Sequence, residues 1–249
     1  MPEPAASPEA MAALQAELTA LRAEMQDFTY TVSHDLRASL RHILSYARLV
    51  EEDAGPQLSD EVRGFLSTIS ESARHMGAQM DALTELSRVG TVKLQLQTVD
   101  LAALVDDLRD ELAPSVGARE LEWKVDAQLP AVWADPAMLR QALLQVLANA
   151  VKFSAHRAIA QIHVSAHADH ASGSVTLSVQ DNGAGFNPAL QSRLFHAFQR
   201  LHSAKQFPGM GMGLALARKA VRRMGGDMEA QGAPDAGCTI CLRLGLPPA

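Results

Sequence analysis

Ser33-His34-Asp35-Leu36-Arg37-Ala38-Ser39-Leu40-Arg41 lies inside a long helical pattern, and its reading decides the architecture of the N-terminal part of the chain. At about 100° of rotation per residue, Val32, Leu36, Leu40, Ile43, Ala47 and Val50 fall in one narrow apolar arc. His34 projects from nearly the opposite side, with Arg37, Ala38 and Arg41 one and two turns on along its own face. A histidine held outward on a rigid helix, beside a carboxylate and two guanidiniums, is placed to meet a group arriving from solvent. Taken alone, the pattern fits a surface histidine on a charged helix face better than a reactive one.

Toward the N-terminus, Leu14, Leu18, Leu21, Met25, Phe28 and Val32 follow a 4-3-4-3-4 heptad with charged residues between them, which favours a parallel coiled coil. Residues 1–10, rich in Pro, Ala, Ser and Glu, are expected to be disordered. The spacing changes to 4-4 across Val32, Leu36 and Leu40, a stutter that locally unwinds a coiled coil. Asp53-Ala54-Gly55-Pro56 breaks the helix, and Ser59 or Asp60 can cap a second one. That helix carries Val62, Leu66, Ile69, Ala73, Met76, Met80, Leu83 and Leu86 at helical spacing. Two helices with one apolar stripe each cannot bury both faces alone, so a homodimer forming a four-helix bundle is expected.

Beyond Val89-Gly90-Thr91 the composition changes. Residues 101–113 read as an amphipathic helix, 121–125 as a strand, and Asp135-Pro136 opens a helix running to Val151. Residues 159–167 and 174–180 read as a strand pair, 189–201 and 213–224 as helices, and 238–244 as a last strand. This half is expected to be a two-layer α/β sandwich. The domain plan is a disordered start and coiled-coil helix (1–27), a helical-hairpin domain (28–90), a linker (91–97) and a sandwich domain (98–249).

Composition narrows the class. The 249 residues are 47% hydrophobic but only 4% aromatic, so the core is aliphatic. A net charge of -6 without a basic block argues against nucleic acid as the main partner. Cys238 and Cys241 are too few for a zinc site or a secreted disulfide framework, and they read as core thiols of a cytoplasmic protein. No run approaches the ~20 apolar residues of a membrane span.

Three motifs carry chemistry in the second half. In Gln145-x-x-x-Asn149-Ala150-Val151-Lys152-Phe153, residues 145, 149, 152 and 153 share a helix face, so amides, an ammonium and a ring point together. Asp181-Asn182-Gly183-Ala184-Gly185-Phe186 follows a strand, with a carboxylate able to accept from an exocyclic amine and glycines that let the backbone approach a ligand. Gly209-Met210-Gly211-Met212-Gly213-Leu214 leads into a helix, a nest of N–H groups suited to a polyphosphate. Singly, each also fits an interior amide, an ordinary turn or a chance glycine repeat.

Together, in this order, they resemble the transmitter module of bacterial sensor histidine kinases over nearly the whole chain. Ser-His-Asp-Leu-Arg resembles the H-box, Asn149 to Phe153 the N-box, Asp181 to Gly185 the G1 box, Leu194-Phe-His-Ala-Phe198-Gln-Arg-Leu the F-box and Gly209 to Leu214 the G2 box. The stretch from Phe198 to Gly209 is similar to the short ATP lid of phytochrome-type kinases. The resemblance implies a dimerisation and phosphotransfer domain joined to an ATP-binding domain of the kind shared with gyrase, Hsp90 and MutL. It implies autophosphorylation of His34, with Asp35 as general base, and transfer to an aspartate on the receiver domain of a separate response regulator. By the same resemblance Asn149 ligates Mg²⁺, Lys152 neutralises phosphate charge, Phe153 lies against adenine and Asp181 accepts from its amino group. Gly183, Gly185, Gly209, Gly211, Gly213 and Leu214 complete the implied ATP site, and a lid at roughly 196–210 orders over the nucleotide.

Some positions depart from the family pattern. Ala38 stands where many members have Thr or Asn, and Ser39 where Pro is usual, removing an expected kink site. Gln145 replaces the first N-box Asn, and Met210 and Met212 fill G2 spacers. Related ATPases have a water-activating glutamate at the position of Gln145, and an amide cannot take that role. A catalytically silent scaffold and an ATPase-type relative remain as alternatives, and any sensor domain is separate or missing from this chain.

Overall fold

An apolar stripe on each of two helices builds the first part of the molecule, and a twisted sheet backed by helices builds the second. The computed structural model describes residues 8–117, 119–203 and 206–248, and divides into the units Met1–Thr91 and Val92–Ala249.

In the first unit α1 runs from Pro8 to Ala54. It therefore takes in residues 8–10, expected to be disordered, whereas 1–7 lie outside the described residues. With Ser39 in place of a proline, every N–H is available to the ladder, and the helix passes through this point without interruption. Pro56 ends it in a single 3-10 turn, Gly55–Gln57. Ser59 then caps α2 (Asp60–Val89): its side chain accepts the Val62 N–H at 3.3 Å, and Asp60 and Glu61 complement the helix dipole.

The hairpin seam is narrow. Ser33, Leu40 and Ala47 of α1 are buried, as are Ala73, Ala82 and Val89 of α2. Small residues on α2 let the helices approach; a Cβ on Gly77 would already stand 3.9 Å from Leu40 Cδ1. The rest of the stripe stays uncovered, with Leu36, Ile43, Val50, Val62, Ile69, Met76 and Leu83 between 38% and 46% exposed. Leu14, Leu21, Met25 and Phe28 of the heptad are exposed as well, and the Leu18 side chain lies outside the described residues.

The second unit is a two-layer α/β sandwich. Its strands are β1 (Gln97–Val99), β2 (Glu120–Val125), β3 (Val132–Ala134), β4 (Ile159–Asp169), β5 (Ser174–Asp181), β6 (Asp227–Gly232) and β7 (Cys238–Gly245). They form one sheet in the order β1-β3-β7-β5-β4-β2, with β6 also pairing β7. β4 and β5 are an antiparallel hairpin, and β2 joins β4 in parallel. Alternate residues of β5 (Val175, Leu177, Val179, Asp181) point into the core, where β5 packs against α4 (Pro136–Phe153), and α3 (Leu101–Val116) and α5 (Gly213–Arg223) pack on α4.

Caps fix where the helices begin. Asp100 accepts from the Ala102 and Ala103 N–H groups at the start of α3. Asp135 accepts from Met138 N–H at 3.0 Å at the start of α4, and with its other oxygen from Gln95 N–H at 2.8 Å. That second bond, with Arg223 donating to the Val92 carbonyl, ties much of the 91–97 stretch to this unit.

The helix expected over 189–201 is absent. Asn187 caps a 3-10 turn, Pro188–Arg193, and the chain continues in turns to Phe198, whose φ of +61° no helix accommodates. Strands β1, β3 and β6 add to those expected from the pattern.

Candidate active site

His34 stands out from α1 with its side chain 63% exposed, and Asp35 beside it is 76% exposed. Nδ1 of His34 lies 3.2 Å from Asp35 Oδ1. A carboxylate only accepts, so in the neutral imidazole this contact favours the tautomer with its proton on Nδ1 and its lone pair on Nε2. Arg37, one turn on, turns toward α2: its Nε donates to Asp81 at 3.0 Å and an Nη2 hydrogen goes to the Thr84 hydroxyl at 3.2 Å. Ala38 is half-buried on the same side and Ser39 is exposed.

In the second unit, Asp181 ends β5 as a buried carboxylate. Burial pushes its carboxyl up to about 6, opposed by the Gly183 and Cys238 N–H groups and by Arg157. Its Oδ1 accepts from Gly183 N–H at 2.8 Å. Cys238 is its cross-strand partner, and burial followed by the neighbouring Asp181 charge pushes that thiol up to about 12. A thiol so suppressed is an inert wall beside the carboxylate.

The glycines of this loop serve the protein's own packing. A Cβ on Gly183 would come within 2.5 Å of the Phe153 carbonyl oxygen, and one on Gly185 (φ +61°) within 1.9 Å of the Ala233 carbonyl oxygen. The Ala184 N–H bonds the Phe153 carbonyl, and the Asp235 N–H the Ala184 carbonyl. Arg157, which the sequence reading passed over, closes this knot by donating to the carbonyls of Asn182, Gly183 and Asp235. Nothing in its spacing marks it.

The α4 face carries Gln145, Asn149, Lys152 and Phe153 as a half-buried row. Among the described residues no hydrogen bond occupies the Asn149 side chain. Burial, then the charge of Arg200, lowers the Lys152 ammonium below its usual range. Its Nζ lies 4.4 Å from the Phe153 ring centroid and 3.4 Å from the Cβ position of Gly209. Gly211 (φ +73°) admits the Gln199 carbonyl oxygen to 2.3 Å from its Cβ position, and Gly213, first in α5, admits Gln145 Oε1 to 2.5 Å. The structure thus brings Gln145 against Gly213 and Lys152, beside Phe153, against Gly209, along the C-terminal half of α4 and the run leading into α5. Leu214 follows Gly213 in the first turn of α5. His202 and Phe207 also pack on Phe153; the sequence reading placed them in a lid without a contact of their own.

A phosphate-rich ligand fits these groups: the desolvated Lys152 ammonium faces Gly209 in the glycine run that leads into α5, and the unengaged Asn149 amide lies one turn back on the same α4 face. Among the described residues no cluster of three or more His, Cys, Asp or Glu could cage a metal. A divalent cation here would draw most of its ligands from phosphates and water, as Mg²⁺ does.

Comparison with known proteins agrees with both halves. The His Kinase A (phospho-acceptor) domain family matches residues 24–91. The histidine kinase-, DNA gyrase B- and HSP90-like ATPase family matches residues 134–248. The phytochrome-like protein Cph1 of Synechocystis sp. is 29% identical over 236 residues, 95% of this chain and 31% of that protein. Cyanobacterial phytochrome B of Nostoc sp. is 30% identical over 235 residues, 94% of this chain and 31% of that protein. The crystal structure of full-length ShkA in complex with AMPPNP is similar at a TM-score of 0.63 and 29% identity, over 90% of this chain and 46% of that one. The chain spans about a third of the length of the curated relatives it matches. Among the described residues no helix is long and apolar enough to cross a membrane. With a phospho-acceptor domain and an ATPase-type domain in succession, the chain belongs to the sensor histidine kinases, as their transmitter module.

Proposed function

We propose that this chain is an ATP-dependent protein histidine kinase that autophosphorylates His34 and passes the phosphoryl group to an aspartate on the receiver domain of a separate response regulator. The observation that carries this reading is the His34–Asp35 contact, an exposed imidazole whose Nδ1 proton is held by a carboxylate. Asp35 fixes the tautomer and stabilises positive charge as Nε2 attacks. A P–N bond to Nε2 forms, the bond from the γ-phosphorus to the ADP oxygen breaks, and the imidazole proton leaves toward Asp35.

In the second unit Asp181 accepts from the adenine amino group, Phe153 lies along the base, and Lys152 faces the phosphates. Gly209, Gly211 and Gly213 let the chain pass close beside them at the start of α5. Asn149 would hold Mg²⁺, which supplies charge to the phosphates when bound. Gln145 lies over Gly213 and carries no group able to deprotonate water, which favours transfer to histidine over hydrolysis. Residues 28–90 serve as the dimerisation and phosphotransfer domain and 98–249 as the ATP-binding domain, with 1–27 leading in and 91–97 between. The uncovered stripe on α1 and α2 supports a homodimer.

The test is incubation with γ-labelled ATP and Mg²⁺. Label that is stable in alkali and lost in acid marks a phosphoramidate; no label, or label stable in acid, removes the kinase reading.

A further inference from the structure

The ring proposed to take the base is already in contact with rings of its own chain. The Phe153 centroid lies 4.9 Å from that of Phe207 and 5.5 Å from that of His202, and His202 and Phe207 are 5.3 Å apart. His156 meets Phe207 edge-on at 6.0 Å. Two polar bonds hold this arrangement. His202 Nε2 donates to the Gly185 carbonyl at 2.8 Å, and Arg200 donates to the Phe207 carbonyl at 2.8 Å. The first ties the segment to the loop that carries Asp181.

A flat base slotted between two rings needs them roughly 7 Å apart, twice the 3.4 Å step of stacked bases. Separations of 4.9 and 5.5 Å leave no such slot. Lys152 Nζ, 4.4 Å from the same ring, fills more of its surroundings, but it also faces Gly209 at the start of the glycine run. The groups free to give way are therefore the two rings on the segment after Phe198.

We infer that His202 and Phe207 form an internal plug on Phe153, which an adenine base must displace to bind. The inference rests on the reading of this unit as a nucleotide site. Part of the binding free energy of the base then goes into opening the plug, and residues 202 and 207 set nucleotide affinity without being needed for it.

The experiment measures dissociation constants of the full chain for ATP, adenosine and inorganic tripolyphosphate by calorimetry. Phe207→Ala and His202→Ala are compared with the unaltered chain, with Asp181→Asn as reference. Removal of one aromatic contact should tighten ATP and adenosine binding by about two- to tenfold while leaving tripolyphosphate unchanged. Phe207→Leu, which keeps apolar volume but no ring, should lie between. Weaker or unchanged adenosine binding in Phe207→Ala and His202→Ala overturns the plug and makes the rings part of the binding wall or bystanders. Tighter tripolyphosphate binding overturns it too, since the effect is then not on the base. Failure of the underlying reading looks different: the unaltered chain does not bind ATP, or Asp181→Asn binds it equally well.

Discussion

Arg37 and Asp81 meet across the helix hairpin, Nε 3.0 Å from Oδ1, one helical turn beyond His34. The same guanidinium reaches the Thr84 hydroxyl, so one side chain of α1 grips two positions of α2 that are three residues apart. The two side chains are 31% and 69% exposed, which limits the pair to about 1 kcal/mol or less. Arg37→Ala should therefore cost little stability in denaturant unfolding. It should slow label incorporation at His34 several-fold, because the turn below the imidazole loses its anchor. Asp81→Asn should reproduce the effect with unchanged ATP affinity. A normal labelling rate in both variants would show that the clamp holds the hairpin only.

His34→Gln should abolish acid-labile label while leaving ATP affinity and dimerisation unchanged. His34 is exposed and outside the buried seam of Ser33, Leu40 and Ala47, so the change leaves hairpin packing alone. Acid-labile label on this variant would point to another of the nine histidines.

Asp181 gives the chain a pH signature. Burial raises its carboxyl from 3.8 to about 6, so the folded state prefers the neutral acid. The stability it contributes is fully present below about pH 4 and is lost as pH rises through 6. Relative to Asp181→Asn, the unaltered chain without ligand should lose on the order of 2 kcal/mol between pH 4 and pH 7. Adenosine has no titrating phosphate and prefers the ionised carboxylate as acceptor for its amino group. Its affinity should therefore fall as pH drops through 6, and Asp181→Asn should bind more weakly at pH 7.5 with that slope gone. A pH-independent dissociation constant for the unaltered chain would break the assigned contact.

Gly185 and Gly173 separate two reasons for a glycine. Both have positive φ, +61° and +65°, but a Cβ on Gly185 meets the Ala233 carbonyl at 1.9 Å and one on Gly173 meets nothing within 4 Å. Gly173→Ala should cost only the backbone strain, about 1–2 kcal/mol. Gly185→Ala must also move backbone against backbone, and should cost at least about 2 kcal/mol more in thermal or denaturant unfolding. Equal losses would mean the 233–237 turn yields freely.

The same loop shows how far the sequence was legible. Asp181-Asn-Gly-Ala-Gly185 gave the position of the turn and of its carboxylate, because a strand ending in such a run has few alternatives. What the glycines are for was not legible: their near neighbours, Phe153 and Ala233, are distant in sequence and reach them only through the fold. The hairpin was readable from period and caps, since both signals are local, with the structure deciding for Ser59 over Asp60 as the cap of α2. Strands β1 and β3 are three residues long and exist because β1 pairs with β3 and β3 with the end of β7, which no local pattern records. Over 189–201 the apolar spacing imitated a helix, but Asn187-Pro188 starts a 3-10 turn and Phe198 is left-handed. The cluster of His202 and Phe207 on Phe153 joins residues about fifty positions apart, and only side-chain packing reveals it.

Ala38 carries the last prediction: this chain should be a kinase with little phosphatase activity toward its own regulator. In the family it resembles, the residue one turn after the phospho-acceptor histidine often carries a hydroxyl or amide that orients the water attacking the regulator's phospho-aspartate. Here that turn presents Ala38, half-buried beside His34, and a methyl group neither donates nor accepts. Ser39 is exposed and has a hydroxyl, but it sits a further ~100° round α1 and addresses a different direction. The guanidinium on this turn, Arg37, is engaged with Asp81 and Thr84 and offers no acceptor for a water proton. Positioning one water changes rates by orders of magnitude, so the deficit should be measurable. Loss of phosphate from a phosphorylated receiver domain that this kinase itself labels is to be followed with ADP present and ATP absent. His34→Gln is the background, since it excludes back-transfer to histidine. Ala38 should give a rate near that of the receiver alone, and Ala38→Thr or Ala38→Asn should raise it at least about tenfold. Fast phosphate loss with Ala38 in place would assign the water to another group on this face.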